Sequence, residues 1–193
     1  MGLPLRHPAE RYTYGDYQTW PEDTRYELVD GVAYAMTGPS RRHQEIVGNL
    51  FVQLANALEG RPCRVYVAPF EVRLPMADEA DALVDTVVQP DLSVFCDRTK
   101  LDERGARGAP DWVIEVLSPA TAGHDQIVKR RAYERAGVRE YWLVHPTDRI
   151  VTIYWLTDGA YGRPDIYELT GSTASQVLPE LAIDWDRALR DLD

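Results

Sequence analysis

Three acidic residues interrupt apolar runs of this chain: Glu27 in "YELV", Asp91 in "PDLSVF" and Glu115 in "VIEVL". A carboxylate in such a run is costly unless it is paired, hydrogen-bonded or bound to a cation. Taken singly, each reads as a strand-end acid that faces solvent or meets an arginine, with Arg42, Arg73 and Arg130 as candidates. Taken together, they offer the oxygen ligands that Mg²⁺ or Mn²⁺ takes, with water completing the octahedron. Such an ion polarises a phosphoryl oxygen and supplies hydroxide near neutral pH. An ammonium beside it would stabilise the charge that builds up in the transition state. Lys129, on the helix after the Glu115 strand, is the candidate. Its plainer reading is an i,i+4 pair with Asp125, worth only a few tenths of a kcal/mol.

The elements that must position these groups are readable from pattern. Thr13 and Asp16 mark a helix start running to about Trp20 and stopping before Pro21. Asp30-Gly31 favours a type I′ turn, so Tyr26 to Met36 is predicted as a hairpin. Ser40 caps a long helix on which Ile46, Val47, Leu50, Phe51, Leu54 and Leu58 fall at helical spacing, and Gly60 ends it. "CRVYVAPFEVRLP" reads as one or two strands and "MADEADALVD" as a loop. "VVQPDLSVF" is a strand whose start Pro90 demotes to an edge or an opening position. "CDRTKLDERGARGAP" reads as a surface connection. After the Trp112–Leu117 strand, a helix from about Asp125 to Ala136 is ended by Gly137. "EYWLV", "IVTIYWL" and "YGRPDIYEL" are further strands, and Asp184 caps a short last helix. This order predicts an α/β chain, a mixed sheet with helices on its faces, folded as one domain over 1–193 with a loose stretch at 1–11.

Composition narrows the function. A net charge of −10 argues against coating nucleic acid by bulk electrostatics, although metal-binding carboxylates add negative charge that a cation offsets. Arginine carries nearly all the positive charge, with local runs "SRRH" and "KRR". No apolar run is long enough to span a bilayer, and no basic region followed by an apolar stretch suggests a secretory signal, so a cytoplasmic protein is expected. Cys63 and Cys96 are expected as buried free thiols. Of the histidines, His7 falls in the loose N-terminus, His124 at a solvated helix start and His145 in a turn. Trp112, Trp142 and Trp155 are explained by strand packing. No Gly-rich phosphate loop and no G-x-S-x-G elbow is present.

The ordered set "YELVDG", a His opening the long helix, "QPDLSVF", "VIEVLSPAT", "HDQIVKRRAYERAGVREYWLVHP" and "LPELAIDW" resembles the Uma-two family of restriction-endonuclease-like proteins, within the PD-(D/E)XK nuclease superfamily. The resemblance runs from about Tyr12 to Trp185. It implies a restriction-endonuclease-like core, a Mg²⁺ or Mn²⁺ cofactor and nucleic acid, DNA first, as substrate. Asp91 would be the central metal ligand and Glu115 the second carboxylate, with the carbonyl of Val116 close to the ion. Glu27 would match the acid of the first strand region, His43 the histidine of the long helix and Lys129 the lysine after "SPAT", with Gln89 near the site. The wider superfamily places its lysine two residues after the glutamate; here that residue is Leu117, and the resemblance moves the role to Lys129.

Two other readings stand beside a metal-dependent endonuclease. One is a nuclease-fold binding or regulatory module without robust turnover, suggested by the charge and by Leu117. The other is purely structural, the acids being paired with arginines. A two-fold homodimer would suit cleavage of both strands.

Overall fold

The Asp30-Gly31 pair turns the chain as its composition demands. The computed structural model describes residues 11–21, 25–119 and 122–190. In it β1 (Tyr26–Val29) and β2 (Val32–Ala35) form an antiparallel hairpin, and Asp30 (φ 52°) with Gly31 (φ 74°) supplies the two positive φ values of a type I′ turn. A Cβ on Gly31 would lie 2.9 Å from that of Arg11, so only glycine fits there. Arg11 is therefore packed against the hairpin; residues 1–10, His7 among them, lie outside those described.

Ahead of the hairpin, Thr13 and Asp16 close a capping box on α1 (Tyr14–Tyr17), which is shorter than its pattern suggested. The Ser40 hydroxyl accepts from the His43 N–H to start α2 (Arg41–Ala57), whose Ile46, Val47, Leu50 and Leu54 are buried. The chain continues through β3 (Arg64–Val67), β4 (Val72–Arg73), β5 (Val87–Val88) and β6 (Leu92–Phe95). The stretch expected to be a surface connection contains two short strands, β7 (Leu101–Asp102) and β8 (Gly105–Arg107). Ala106 is fully buried there because β8 lies parallel to β4. Next comes β9 (Trp112–Val116). A wide π-helical turn over His124–Lys129 leads into α3 (Arg130–Ala136), which Gly137 ends at φ 90°. The remainder is β10 (Glu140–His145), β11 (Ile150–Thr157), β12 (Ala160–Tyr161), β13 (Asp165–Glu168), β14 (Ser172–Ala174), β15 (Ala182–Asp184) and α4 (Trp185–Ala188), capped by Asp184 as predicted.

The fold is α+β with mixed sheets, and the strands divide between two main sheets. One has the order β2-β1-β5-β4-β8-β7; the other runs β12-β11-β10-β9-β6-β3, with β13 also on β11. Pro90 stands where the chain leaves the first sheet after β5 and enters the second at β6. Neither strand is an edge, because the missing N–H of Pro90 falls in the crossing and not in a ladder. In β9 the alternation of side chains is used on both faces. Trp112, Ile114 and Val116 join the α2 residues in one apolar cluster, and Val113 with Leu117 joins Ala132 and Tyr133 of α3 in another. Parity places Glu115 on the α3 face. No helix among the described residues is long and apolar enough to cross a membrane.

The two cysteines are not free. Cys63 and Cys96 are joined by a disulfide. The reason is register: β3 and β6 pair Arg64 with Phe95, so the next rung outward sets Cys63 opposite Cys96. The bond closes a separation of 33 residues. Replacing both cysteines by serine is expected to lower stability by about 3–4 kcal/mol through the entropy of the unfolded chain. A urea-unfolding midpoint unchanged by that double substitution would contradict the bond.

Candidate active site

Asp91 and Glu115 are brought together by strand register. β6 and β9 run antiparallel, with Leu92 opposite Ile114 and Ser93 opposite Val113. One rung further, Asp91 faces Glu115. Each then holds the other's strand: the Asp91 N–H donates to Glu115 Oε2 at 3.2 Å, and the Val116 N–H donates to Asp91 Oδ2 at 2.8 Å. Glu27 comes from the other sheet. β1 lies against β5, and the Gln89 N–H just beyond β5 donates to Glu27 Oε1 at 2.7 Å. The five residues Gln89 to Ser93 thus tie both sheets to one spot.

Lys129 reaches that spot from the turn before α3. Its ammonium lies 2.6 Å from Glu115 Oε1, 3.0 Å from Glu27 Oε1 and 3.6 Å from Asp125 Oδ1. The intrahelical pair with Asp125 does form, but it is the longest of the three contacts. The side chain is only 4% exposed, so these are buried charges and not a solvated face. His43, in the first turn of α2, sets Nε2 3.1 Å from Asp91 Oδ2. Arg73 pairs with Asp81 and Asp102, and Arg130 with Glu134, so the arginine-paired reading of the three acids fails. Leu117, at the superfamily's usual lysine position, is buried in the apolar cluster beneath α3.

The tertiary structure adds residues that the acid pattern did not single out. His124, expected to be solvated, sets Nε2 3.2 Å from Glu27 Oε2 and its ring 4.3 Å from that of Tyr34. Its place in the wide turn aims it inward. The buried Tyr133 hydroxyl donates to Glu115 Oε1 at 2.8 Å. The four-residue spacing of Asp125, Lys129 and Tyr133 was a legible sign that one helical stripe faces the acids.

Charge in this cluster is unbalanced: Glu27, Asp91, Glu115 and Asp125 stand around Lys129, the lysine among them. Burial drives Glu115 upward, Lys129 opposes it, and Asp125, Asp91 and Glu27 add to the rise, so its carboxyl sits well above the usual range. Burial also pushes Glu27 up, but Lys129, His124 and the Gln89 N–H outweigh it and hold Glu27 at about 2. Burial works against charge on Lys129, yet Glu115, Glu27 and Asp125 prevail and raise its pKa well above normal. It is a fixed cation and not a base. His43 is likewise raised: burial lowers it, and the Asp91 carboxylate more than restores it.

These groups line a cavity of about 600 Å³, with Glu27, His43, Asp91, Glu115 and Lys129 all on its wall. A hard divalent cation suits the donor set in kind, being oxygen-rich and short of positive charge. Among the described residues no three Asp, Glu, His or Cys side chains already form a cage for an ion. Lys129 holds one oxygen of Glu115 and of Glu27, and the second Glu27 oxygen meets His124. Asp91 meets His43 Nε2 and the Val116 N–H through Oδ2, and it lines the cavity. The fit is to an ion held by few protein oxygens and several waters, the usual manner of magnesium.

The chain is similar to known proteins. A family model described as "Uma2: Putative restriction endonuclease" matches residues 14–186. An uncharacterized protein of Synechocystis sp. is 29% identical over 154 residues, 78% of this chain and 77% of that one. The crystal structure of "a putative nuclease belonging to DUF820" from Anabaena variabilis has a TM-score of 0.74 at 19% identity, covering 94% of this chain and 99% of that chain. That last likeness concerns the fold.

Proposed function

The chain belongs to the Uma2 family, and from that premise we propose that it is a metal-dependent endonuclease that hydrolyses phosphodiester bonds in DNA. The observation that carries this reading is the ammonium of Lys129 at 2.6 Å from Glu115, with Asp91 on the facing rung. It supplies the cation that Leu117 does not.

Asp91 and Glu115 would hold a magnesium or manganese ion, with the carbonyl of Val116 close to it. The chemistry of that ion when bound is to polarise a phosphoryl oxygen and to supply hydroxide near neutral pH. In hydrolysis a water oxygen bonds to phosphorus while the bond to the leaving deoxyribose oxygen breaks, the water's proton passes through solvent to that oxygen, and negative charge grows on the phosphoryl oxygens. Lys129, kept charged by its neighbours, is positioned to offset that growth. Glu27 anchors the lysine, with its own oxygens held by Gln89 and His124, and so serves the amine and not the ion. His43 orients Asp91 through its Oδ2. A two-fold dimer would present two such clusters to the two strands, and light scattering of the eluted protein would test it.

The whole reading is tested by incubating the intact chain with supercoiled plasmid, single-stranded DNA and RNA in Mg²⁺, in Mn²⁺ and in chelator. Cleavage of DNA is expected with metal, and at least about a hundredfold less with chelator, since the ion carries several kcal/mol of charge stabilisation. Absence of cleavage on every substrate with both metals would overturn the proposal in favour of a binding module.

A further inference from the structure

Behind Gln89 lies a second cavity, of about 500 Å³. Arg25, Pro69 and Gln89 line both it and the cavity over the acids, so the two adjoin. Its wall is a run of rings. Tyr14 and Tyr17 have centroids 5.9 Å apart, Tyr17 and Trp20 5.6 Å, and Trp20 and Tyr26 5.0 Å. Only Tyr14 among them is fully buried; the others are half-buried and leave ring surface toward the cavity.

Glu71 and Gln89 set polar groups on this wall beside the donors of Gln18, Arg25 and Arg104. Glu71 takes the Tyr17 hydroxyl proton on Oε1 at 2.8 Å and the Tyr14 hydroxyl proton on Oε2 at 3.2 Å. Tyr17 has thereby used its only proton, so it must accept from the Gln89 amide, whose Nε2 lies 3.3 Å away. That fixes the amide with its oxygen pointing elsewhere. Gln89 is 4% exposed, and its Oε1 is buried without a hydrogen-bond partner among the described residues. Buried and turned from Tyr17, that oxygen does not read a ligand here, and the ring faces are what the cavity presents. Aromatic faces with a few edge-reading polar groups are how proteins receive an extruded or single-stranded base. A wall of rings with polar groups of both kinds suits a base by its face and not by one edge pattern.

We infer that this aromatic cavity receives one unpaired nucleobase, from the nucleotide next to the phosphate that sits over Asp91 and Glu115. This rests on the nuclease reading for the origin of the base, and on the cavity alone for its recognition. Arg25, exposed on the shared rim, meets the backbone between the two cavities. The site thus selects substrate that is locally unpaired.

The test is calorimetric titration of the intact chain, in chelator, with CMP, UMP and ribose 5-phosphate. CMP and UMP are each expected to bind about tenfold more tightly than ribose 5-phosphate, the scale of one stacked base. Trp20→Ala should bring CMP down toward the sugar phosphate. Equal binding of the three ligands by the unaltered chain, or no binding of CMP, overturns the inference. If cleavage is absent while the CMP preference holds, the nuclease reading falls and the base site stands; cleavage without base preference has the reverse meaning.

Discussion

Asp91→Asn is expected to lower metal-dependent DNA cleavage by about a thousandfold while the protein stays folded. Groups that merely support a metal ligand cost about 10–100-fold when changed, and Asp91 is placed to touch the ion itself, so its loss exceeds that range. Asparagine is the informative replacement. Its side-chain oxygen can still accept from the Val116 N–H, which sits 2.8 Å from Asp91 Oδ2, so the strand junction keeps its hydrogen bond. Alanine would leave that buried N–H open, at about 1–3 kcal/mol, and would confuse a folding defect with a chemical one. Plasmid nicking measured beside thermal unfolding and manganese titration separates the two. Nicking within a few-fold of the unaltered protein would remove Asp91 from the mechanism.

Lys129→Met should have the second large effect, on stability and on rate together. The lysine is the ammonium set among Glu27, Glu115 and Asp125, all within 3.6 Å and all buried. Removing one partner of a buried ion cluster leaves uncompensated charge and costs about 3–5 kcal/mol, a large share of the roughly 5–15 kcal/mol that a domain possesses. Methionine keeps most of the volume, so the cost is electrostatic and not a cavity. Adding Glu27→Gln removes one of the stranded charges and should restore part of the stability. Cleavage should remain lost in the double variant, because the glutamine offers no cation to the phosphoryl oxygens. Chemical unfolding gives the first quantity and nicking the second. If the single variant matches the unaltered chain in both, Lys129 is a spectator; if the double variant regains cleavage along with stability, its role is structural alone.

Much of the local architecture was legible in residue order. The Asp30-Gly31 turn, the Ser40 and Asp184 caps and the Gly137 stop each depend on contacts within a few residues, and each stands where the pattern put it. The failures share a cause. Cys63 and Cys96 were read as thiols because nothing in either segment reveals that β3 and β6 are neighbours. A histidine at a helix start reads as solvated, and the wide turn over His124–Lys129 turns His124 to Glu27 instead. The segment holding β7 and β8 was read as a surface connection because two- and three-residue strands carry no periodicity.

By itself the order of residues determined which groups could do chemistry: carboxylates in apolar strands, an amine on the following helix, and the helices and hairpin that carry them. Only the tertiary structure decided that Asp91 and Glu115 share a rung, that Glu27 arrives from a second sheet, and that Lys129 answers to Glu115 before Asp125. Periodicity and capping are local energies, written in adjacent side chains. Strand register and the meeting of sheets are set by how the whole apolar surface is buried, and a one-rung slip would have parted the two acids without altering a single local signal.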